Sequence, residues 1–233
     1  MAELYLLPSN IGDTDWQNVL PAGIGRVIAK TRFYIVENIR SARRFLKQVD
    51  HEIDIDRLEF FELNKHTEST DVPSFLNPLG DGHDIAVISE TGCPGVADPG
   101  AAVVQLAHQK GFKVVPLVGP SSVVLALMAS GFNGQNFAFN GYLPVRSKER
   151  SKKILNLENQ VKKTGQTQIF IETPYRNNAL LKDLLKTCSP ATQLCIAANL
   201  TSENEFVATK TIDQWKGKVP DLNKQPAVFL IGR

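Results

Sequence analysis

The chain has 233 residues, 42% of them apolar, which is enough to bury a core and excludes a disordered chain. Its formal net charge of +2 is too small to imply nucleic acid by itself, so any such contact must come from local clustering. Cys93, Cys188 and Cys195 form no CxxC pair and the histidines are scattered, which argues against a disulfide scaffold or a metal centre. The amino-terminal MAELYLLPSN lacks the basic start of a secretory signal. The most apolar stretch, 114–132, is broken by Pro116, Gly119 and Pro120. A cytoplasmic protein without a membrane span is the expectation.

Leu4–Leu7 reads as a first strand ending at Pro8. Gly12 alone in the following loop, with no Walker lysine, sets aside a dinucleotide fingerprint and a P-loop. Trp16, Val19, Leu20 and Ile24 predict a helix over 14–29, made irregular by Pro21, and Phe33–Val36 a second strand that ends at Glu37. Residues 40–49 predict an amphipathic helix whose buried stripe is Ile39, Ala42, Leu46 and Val49. Arg40, Arg43, Arg44 and Lys47 repeat at i, i+3, i+4 and i+7 on another face. A solvated surface is the common reading of such a face. Here no acid lies between Arg40 and Lys47, which is the pattern of a phosphate-binding face.

The central stretch, 85–132, organises the rest. Ile85–Ser89 and Val114–Val118 have the length and β-branched content of buried parallel strands. Each stops at small turn residues, Glu90-Thr-Gly-Cys-Pro-Gly and Gly119-Pro-Ser-Ser, and each precedes a helical pattern. Ligands of open α/β sheets sit at such strand ends, glycine allows close backbone approach, and Ser121 or Ser122 can cap the following helix. Residues 145–153 carry Arg146, Lys148, Arg150, Lys152 and Lys153 against Glu149, and read equally as a soluble linker or an RNA contact. Beyond them, strands are expected near 168–172, 194–198, 205–208 and 227–231, and a helix near 175–185. The fold expected is α/β in two domains, 1–118 and 119–233, the first with a mainly parallel sheet and the second with a mixed one.

The blocks SETGCPGVADPG, VVPLVGPSS, ASGF and FNGYLP, in this order and spacing, resemble the signature of the tetrapyrrole (corrin and porphyrin) methylase family. The likeness runs from Leu4 to about Gly232 and is nearest to the branch acting on ribosomal RNA of the small subunit. It implies S-adenosylmethionine as cofactor, a cleft for it between the two domains, and a homodimer. It points to Pro8, Ser89, Glu90, Gly92, Ser121, Ser122, Phe170, Ile171 and Glu172 as cofactor-binding residues.

Methyl transfer from a sulfonium is an in-line displacement that needs positioning rather than a metal. A ribose 2′-hydroxyl is a poor nucleophile, so a general base helps. Glu37, at a strand end beside the basic helix, is the leading catalytic candidate, with Arg40 to grip a phosphate or orient the acceptor and Arg43, Arg44 and Lys47 to bind RNA. The plainer alternative for Glu37 is an ion pair with Arg40 or Arg44. The family's acidic pair before the arginine reads Glu37-Asn38 here, and its late Glu-Leu-Thr-Lys block reads Asn199-Leu-Thr-Ser202. Three readings follow: a methyltransferase of a ribosomal RNA ribose, a methyltransferase of a tetrapyrrole or other small molecule, and a binding module of the same fold without turnover.

Overall fold

The computed structural model describes residues 2–233, which divide between Ser121 and Ser122 into two compact units. In the first unit β1 (Glu3–Leu7), β2 (Phe33–Val36), β3 (Glu59–Glu62), β4 (Ile85–Ile88) and β5 (Lys113–Pro116) form a sheet of order β3-β2-β4-β1-β5. Every pairing in it is parallel. All of Ile85-Ala86-Val87-Ile88 is buried, as a strand covered on both faces requires. Successive side chains supply opposite faces. Tyr5, Tyr34, Val36, Ala86 and Ile88 pack with α1 (Gly23–Lys30) and α2 (Ile39–Val49). Leu4, Ile35, Ile85 and Val87 pack with α3 (Asn77–Gly80) and α4 (Gly100–Gln109).

The helix expected over 14–29 is two pieces. A single 3-10 turn covers Trp16–Asn18, and α1 starts only at Gly23. Pro21 has no N–H to continue the first turn, and its carbonyl accepts the Ile24 N–H at 3.0 Å to begin the second. In α2 the buried stripe includes Phe45 as well as Ala42 and Leu46, with Ile39 and Val49 half-buried at its margins.

The second unit has α5 (Ser122–Ser130), β6 (Phe137–Tyr142), α6 (Ser147–Thr164), β7 (Thr167–Ile171), α7 (Asn177–Thr187), β8 (Gln193–Ala198), β9 (Phe206–Thr211), α8 (Ile212–Gly217) and β10 (Ala227–Gly232). Its sheet runs β6-β7-β10-β8-β9, parallel at β6–β7 and antiparallel elsewhere. Phe170 stacks on Phe229 with centroids 6.1 Å apart, and the buried Trp215 donates its indole N–H to Leu194 O at 2.9 Å. Residues 145–153 lie mostly within α6. Arg150 is on its buried side, paired with Asp183 at 2.6 Å, so this cation is a structural bolt and not an RNA contact. Six-residue α8 is too short to show periodicity, but Thr211 and Gln214 form a capping box at its start.

Candidate functional site

In the first unit the residues after β1, β2, β4 and β5 lie at the same edge of the sheet, because the strands are parallel. The loops there are tied to one another. The Ser9 N–H donates to Gly92 O at 3.0 Å and the Ser9 hydroxyl to Ser89 O at 2.9 Å, joining the turn after β1 to the turn after β4. Gly119 lies so close to Pro8 that a Cβ on it would overlap the proline ring. Cys93 Sγ–H points to Pro120 O at 3.3 Å. Asp98 Oδ1 accepts the N–H groups of Gly95, at 2.6 Å, and of Gly100, at 2.8 Å, and fixes the path from the turn into α4.

Gly92 has φ +76°, a conformation that favours glycine, and an added Cβ would meet Ile11 Cγ2 at 3.0 Å and Pro120 O at 3.1 Å. A side chain at this position would therefore be both strained and crowded by the neighbouring turns.

A pocket of about 260 Å³, part of it open to solvent, lies at the carboxyl ends of β2 and β4. Val36, Ala42, Phe45 and Ile88 give it apolar walls, and Ser9, Glu37, Ser41, Ser89 and Glu90 its polar groups. Glu37 Oε1 accepts the Glu90 N–H at 3.2 Å. Burial pushes the Glu37 carboxyl above its ordinary value. The Glu90 N–H and the Ser89 hydroxyl offset part of that rise, and the charges of Asp98 and Glu90 add to it. No ion pair joins Glu37 to Arg40 or Arg44 among the described residues, so the simple ion-pair alternative is not formed.

Asn38 caps α2 by accepting the Ser41 N–H at 3.0 Å. The Ser41 hydroxyl donates to Glu90 Oε1 at 3.4 Å, so the start of α2 faces the pocket. Arg40, Arg43, Arg44 and Lys47 are all exposed, on the side of α2 opposite Ala42, Phe45 and Leu46. Arg43 lies over the Phe60 ring at 5.4 Å, and Lys47 donates to His51 O at 3.1 Å.

The remaining candidates belong to the end of the first unit and to the second. Ser121 and Ser122 are half-buried at the junction, and Ser122 is the first residue of α5. The Phe170 ring is wholly inside the core, which leaves Ile171 and Glu172 at the strand end. Glu172 Oε1 accepts from Arg176 at 2.6 Å and from the Thr173 N–H at 2.7 Å, whereas Oε2 is buried without a partner. Ser9, Asn10 and Ser41 carry no sequence signal, and their importance comes from contacts that only the folded chain makes. Asp98, between Gly95 and Gly100, does carry a turn signature. Asn10 Oδ1 is also buried and unpartnered, although its amide donates to Thr14 O at 2.9 Å.

Apolar walls with a few polar groups fit an adenosyl cofactor in kind. The enclosed part of the pocket is much smaller than the usual small-molecule cleft of roughly 300–1,000 Å³, so by itself it does not hold a whole cofactor. Among the described residues no group of His, Cys, Asp and Glu can hold a metal ion. No helix among them is long and apolar enough to cross a membrane.

Residues 27–215 match the family model for tetrapyrrole (corrin/porphyrin) methylases. The chain is 32% identical over 204 residues to ribosomal RNA small subunit methyltransferase I of Vibrio cholerae, covering 88% of this chain and 67% of that protein. It is 34% identical over 175 residues to the protein of the same name from Pasteurella multocida, covering 74% and 61%. The chain thus spans about two thirds of the length of these relatives. Among solved structures it resembles the methyltransferase CobJ, with a TM-score of 0.65 at 14% identity over 100% of this chain and 93% of that one. It also resembles uroporphyrin III C-methyltransferase from Thermus thermophilus, with a TM-score of 0.60 at 16% identity over 100% and 98%. At such identities the likeness is one of fold.

Proposed function

We propose a cofactor and a substrate for this chain, which belongs to the tetrapyrrole (corrin/porphyrin) methylase family and is a methyltransferase: it moves a methyl group from S-adenosylmethionine to a cytidine 2′-hydroxyl of small-subunit ribosomal RNA. The observation that carries the RNA reading is the exposed cation face of α2, which starts at the Glu37 pocket and has no acid within it. The names of the relatives agree with it. S-adenosylmethionine supplies the methyl group when bound. Pro8, Ser89, Glu90, Gly92 and Ser121 are the residues of the first unit proposed to hold it, and Ser122, Phe170, Ile171 and Glu172 those of the second. Phe170 contributes there only as a support beneath Ile171, since its ring is in the core.

In this reading Glu37 takes the proton of the ribose hydroxyl. A carboxylate held above its ordinary pKa is a stronger base than a free one, and its Oε1 is oriented by the Glu90 N–H. Arg40, in the first turn of α2, holds a neighbouring phosphate, and Arg43, Arg44 and Lys47 continue that grip along the strand. The working form is a homodimer in the cytoplasm. The test is transfer of labelled methyl from S-adenosylmethionine to small-subunit RNA lacking its native modifications, with the site mapped by mass spectrometry. Label in a ribose supports the reading. Label only in an added tetrapyrrole moves the acceptor to a small molecule, and binding of the cofactor with no transfer to either makes the chain a binding module.

A further inference from the structure

The second unit presents two aromatic rings to solvent at one end of its sheet. β6 and β7 are parallel, so the residues after both strands lie at the same end. Tyr142 closes β6 and is 58% exposed; Tyr175 follows β7 and is 75% exposed. Among the described residues neither ring stacks on another and neither hydroxyl has a hydrogen-bond partner.

Both rings are held in place by local devices. Between Phe139 and Tyr142 the register of β6 against β7 slips by one residue, with Gly141 at φ +61°. Such a bulge changes which side of an edge strand the next residue faces, and it sets Tyr142 opposite Ile171. Tyr175 sits in the 3-10 turn Pro174–Arg176. That turn is pinned by the Arg176–Glu172 ion pair at 2.6 Å and by the Arg176 N–H to Thr173 O at 2.8 Å. Solvent exposure of a large ring on a fixed backbone is what a stacking platform needs, because little order is lost on binding.

The charge that follows Tyr142 in the chain selects the occupant. The chain leaves β6 through Val145 and Arg146 into α6, whose exposed Lys148 and Lys152 have no ion-pair partner among the described residues. The one acid in this run, Glu149, faces Arg146 at 3.6 Å. Exposed rings on the same unit as exposed, unpaired cations match the base-and-phosphate pattern of a single strand, which stacks its bases and releases counterions. Resting on the RNA reading above, we propose that Tyr142 and Tyr175 stack unpaired bases of single-stranded RNA, while Lys148 and Lys152 contact its phosphates. The second unit is then a substrate-holding surface that selects an opened strand over a duplex.

Fluorescence anisotropy with a labelled single-stranded RNA and its duplex tests this on the whole chain. Tyr142→Ala and Tyr175→Ala should each weaken single-strand binding by about fivefold or more, with an unchanged salt slope because no charge is removed. Tyr→Phe at either position should keep the affinity, since the ring is retained. Lys148→Ala should flatten the slope by about 0.7. Alanine variants that bind as the parent does overturn the stacking role and leave the RNA reading standing. Alanine variants that shift the sedimentation coefficient toward a smaller species also overturn it, because the rings then belong to an interface between copies. A parent that binds no RNA overturns both.

Discussion

Two helices carry similar runs of cations, and the chain uses them differently. In α2, Arg40, Arg43, Arg44 and Lys47 are all exposed, opposite the buried Ala42, Phe45 and Leu46. In α6, Arg150 falls on the buried stripe with Ile154, Leu157 and Val161, and its side chain is only 6% exposed. It pairs with Asp183 at 2.6 Å and donates to Val145 O at 3.0 Å, which locks the start of α6 to α7. Counting charges does not separate these cases. Placing each cation relative to the apolar stripe does: a cation on the stripe is committed to the fold, and a cation opposite it is available to a ligand. The helix starts differ too. α2 is capped by Asn38, whereas Arg146 at the start of α6 makes no side-chain cap.

The largest expected effect breaks the structural side of this comparison. Arg150→Met leaves Asp183 half of a buried pair, and removal of one partner costs about 3–5 kcal/mol. Denaturant unfolding should show that loss. Arg150→Met combined with Asp183→Leu should recover much of it, because no lone charge stays buried. Arg44→Ala should lie within the scatter of surface substitutions. A single Arg150→Met variant as stable as the parent would make the two helices equivalent.

Glu37→Gln comes next. If Glu37 is the base, methyl transfer should fall by about 10²–10⁴-fold with cofactor affinity retained. The parent's rate should rise with pH through an acid limb above the ordinary glutamate range, and the variant should lack that limb. Stability gives an independent sign. The folded protein binds the Glu37 proton more tightly than the unfolded chain, so ionisation of this group costs stability as pH rises through the shifted value. Glu37→Gln, uncharged throughout, should therefore be more stable than the parent at neutral pH and lose that advantage below the unfolded glutamate value. An equal stability difference at both pH values would exclude the perturbed carboxyl.

Much of the fold was legible because its signals are local. The run Ile85–Ser89 is short and mostly apolar, and β4 covers all of it but Ser89. The α2 stripe gave both the helix and the side on which its cations lie. The site was less legible. Gly92 and Gly119 mark turns at strand ends, but what lies against them is Ile11, Pro120 and Pro8, brought close only when the parallel sheet assembles. Phe170 sits in a matching block of sequence, yet strand alternation turns its ring into the core against Phe229. Arg150 looked like any cation of its run until Asp183, on the next helix, appeared beside it.

A smaller effect sharpens the ligand side. Arg43→Glu with Lys47→Glu removes two cations from the exposed face of α2. RNA affinity should fall, and the slope of log affinity against log salt should flatten by about 0.7 for each phosphate no longer neutralised. Cofactor affinity and thermal midpoint should stay close to the parent's, since neither side chain lines the Glu37 pocket. An unchanged salt slope would make α2 a solvated face, and the acceptor would then be a small molecule.

The smallest effect tests the start of α2 itself. Asn38 stands where the family's pattern has a second acid, and its oxygen caps the helix at 3.0 Å. Asn38→Asp keeps an acceptor at that place, and a negative charge at a helix start is favourable, so the fold should be kept. The new carboxylate would join Glu90 and Asp98 around Glu37, whose charges already push its carboxyl up. The acid limb of kcat/KM should then move to higher pH, with little change in rate on the alkaline side. Asn38→Ala should instead cost about 1 kcal/mol of stability and leave the limb in place. Arg146→Asn at α6 is the control: it supplies a missing cap and should stabilise the fold without moving the limb. If Asn38→Asp leaves the limb unmoved while Glu37→Gln abolishes it, the two positions do not sense one another, and the second acid of the family's pattern acts on the acceptor rather than on Glu37.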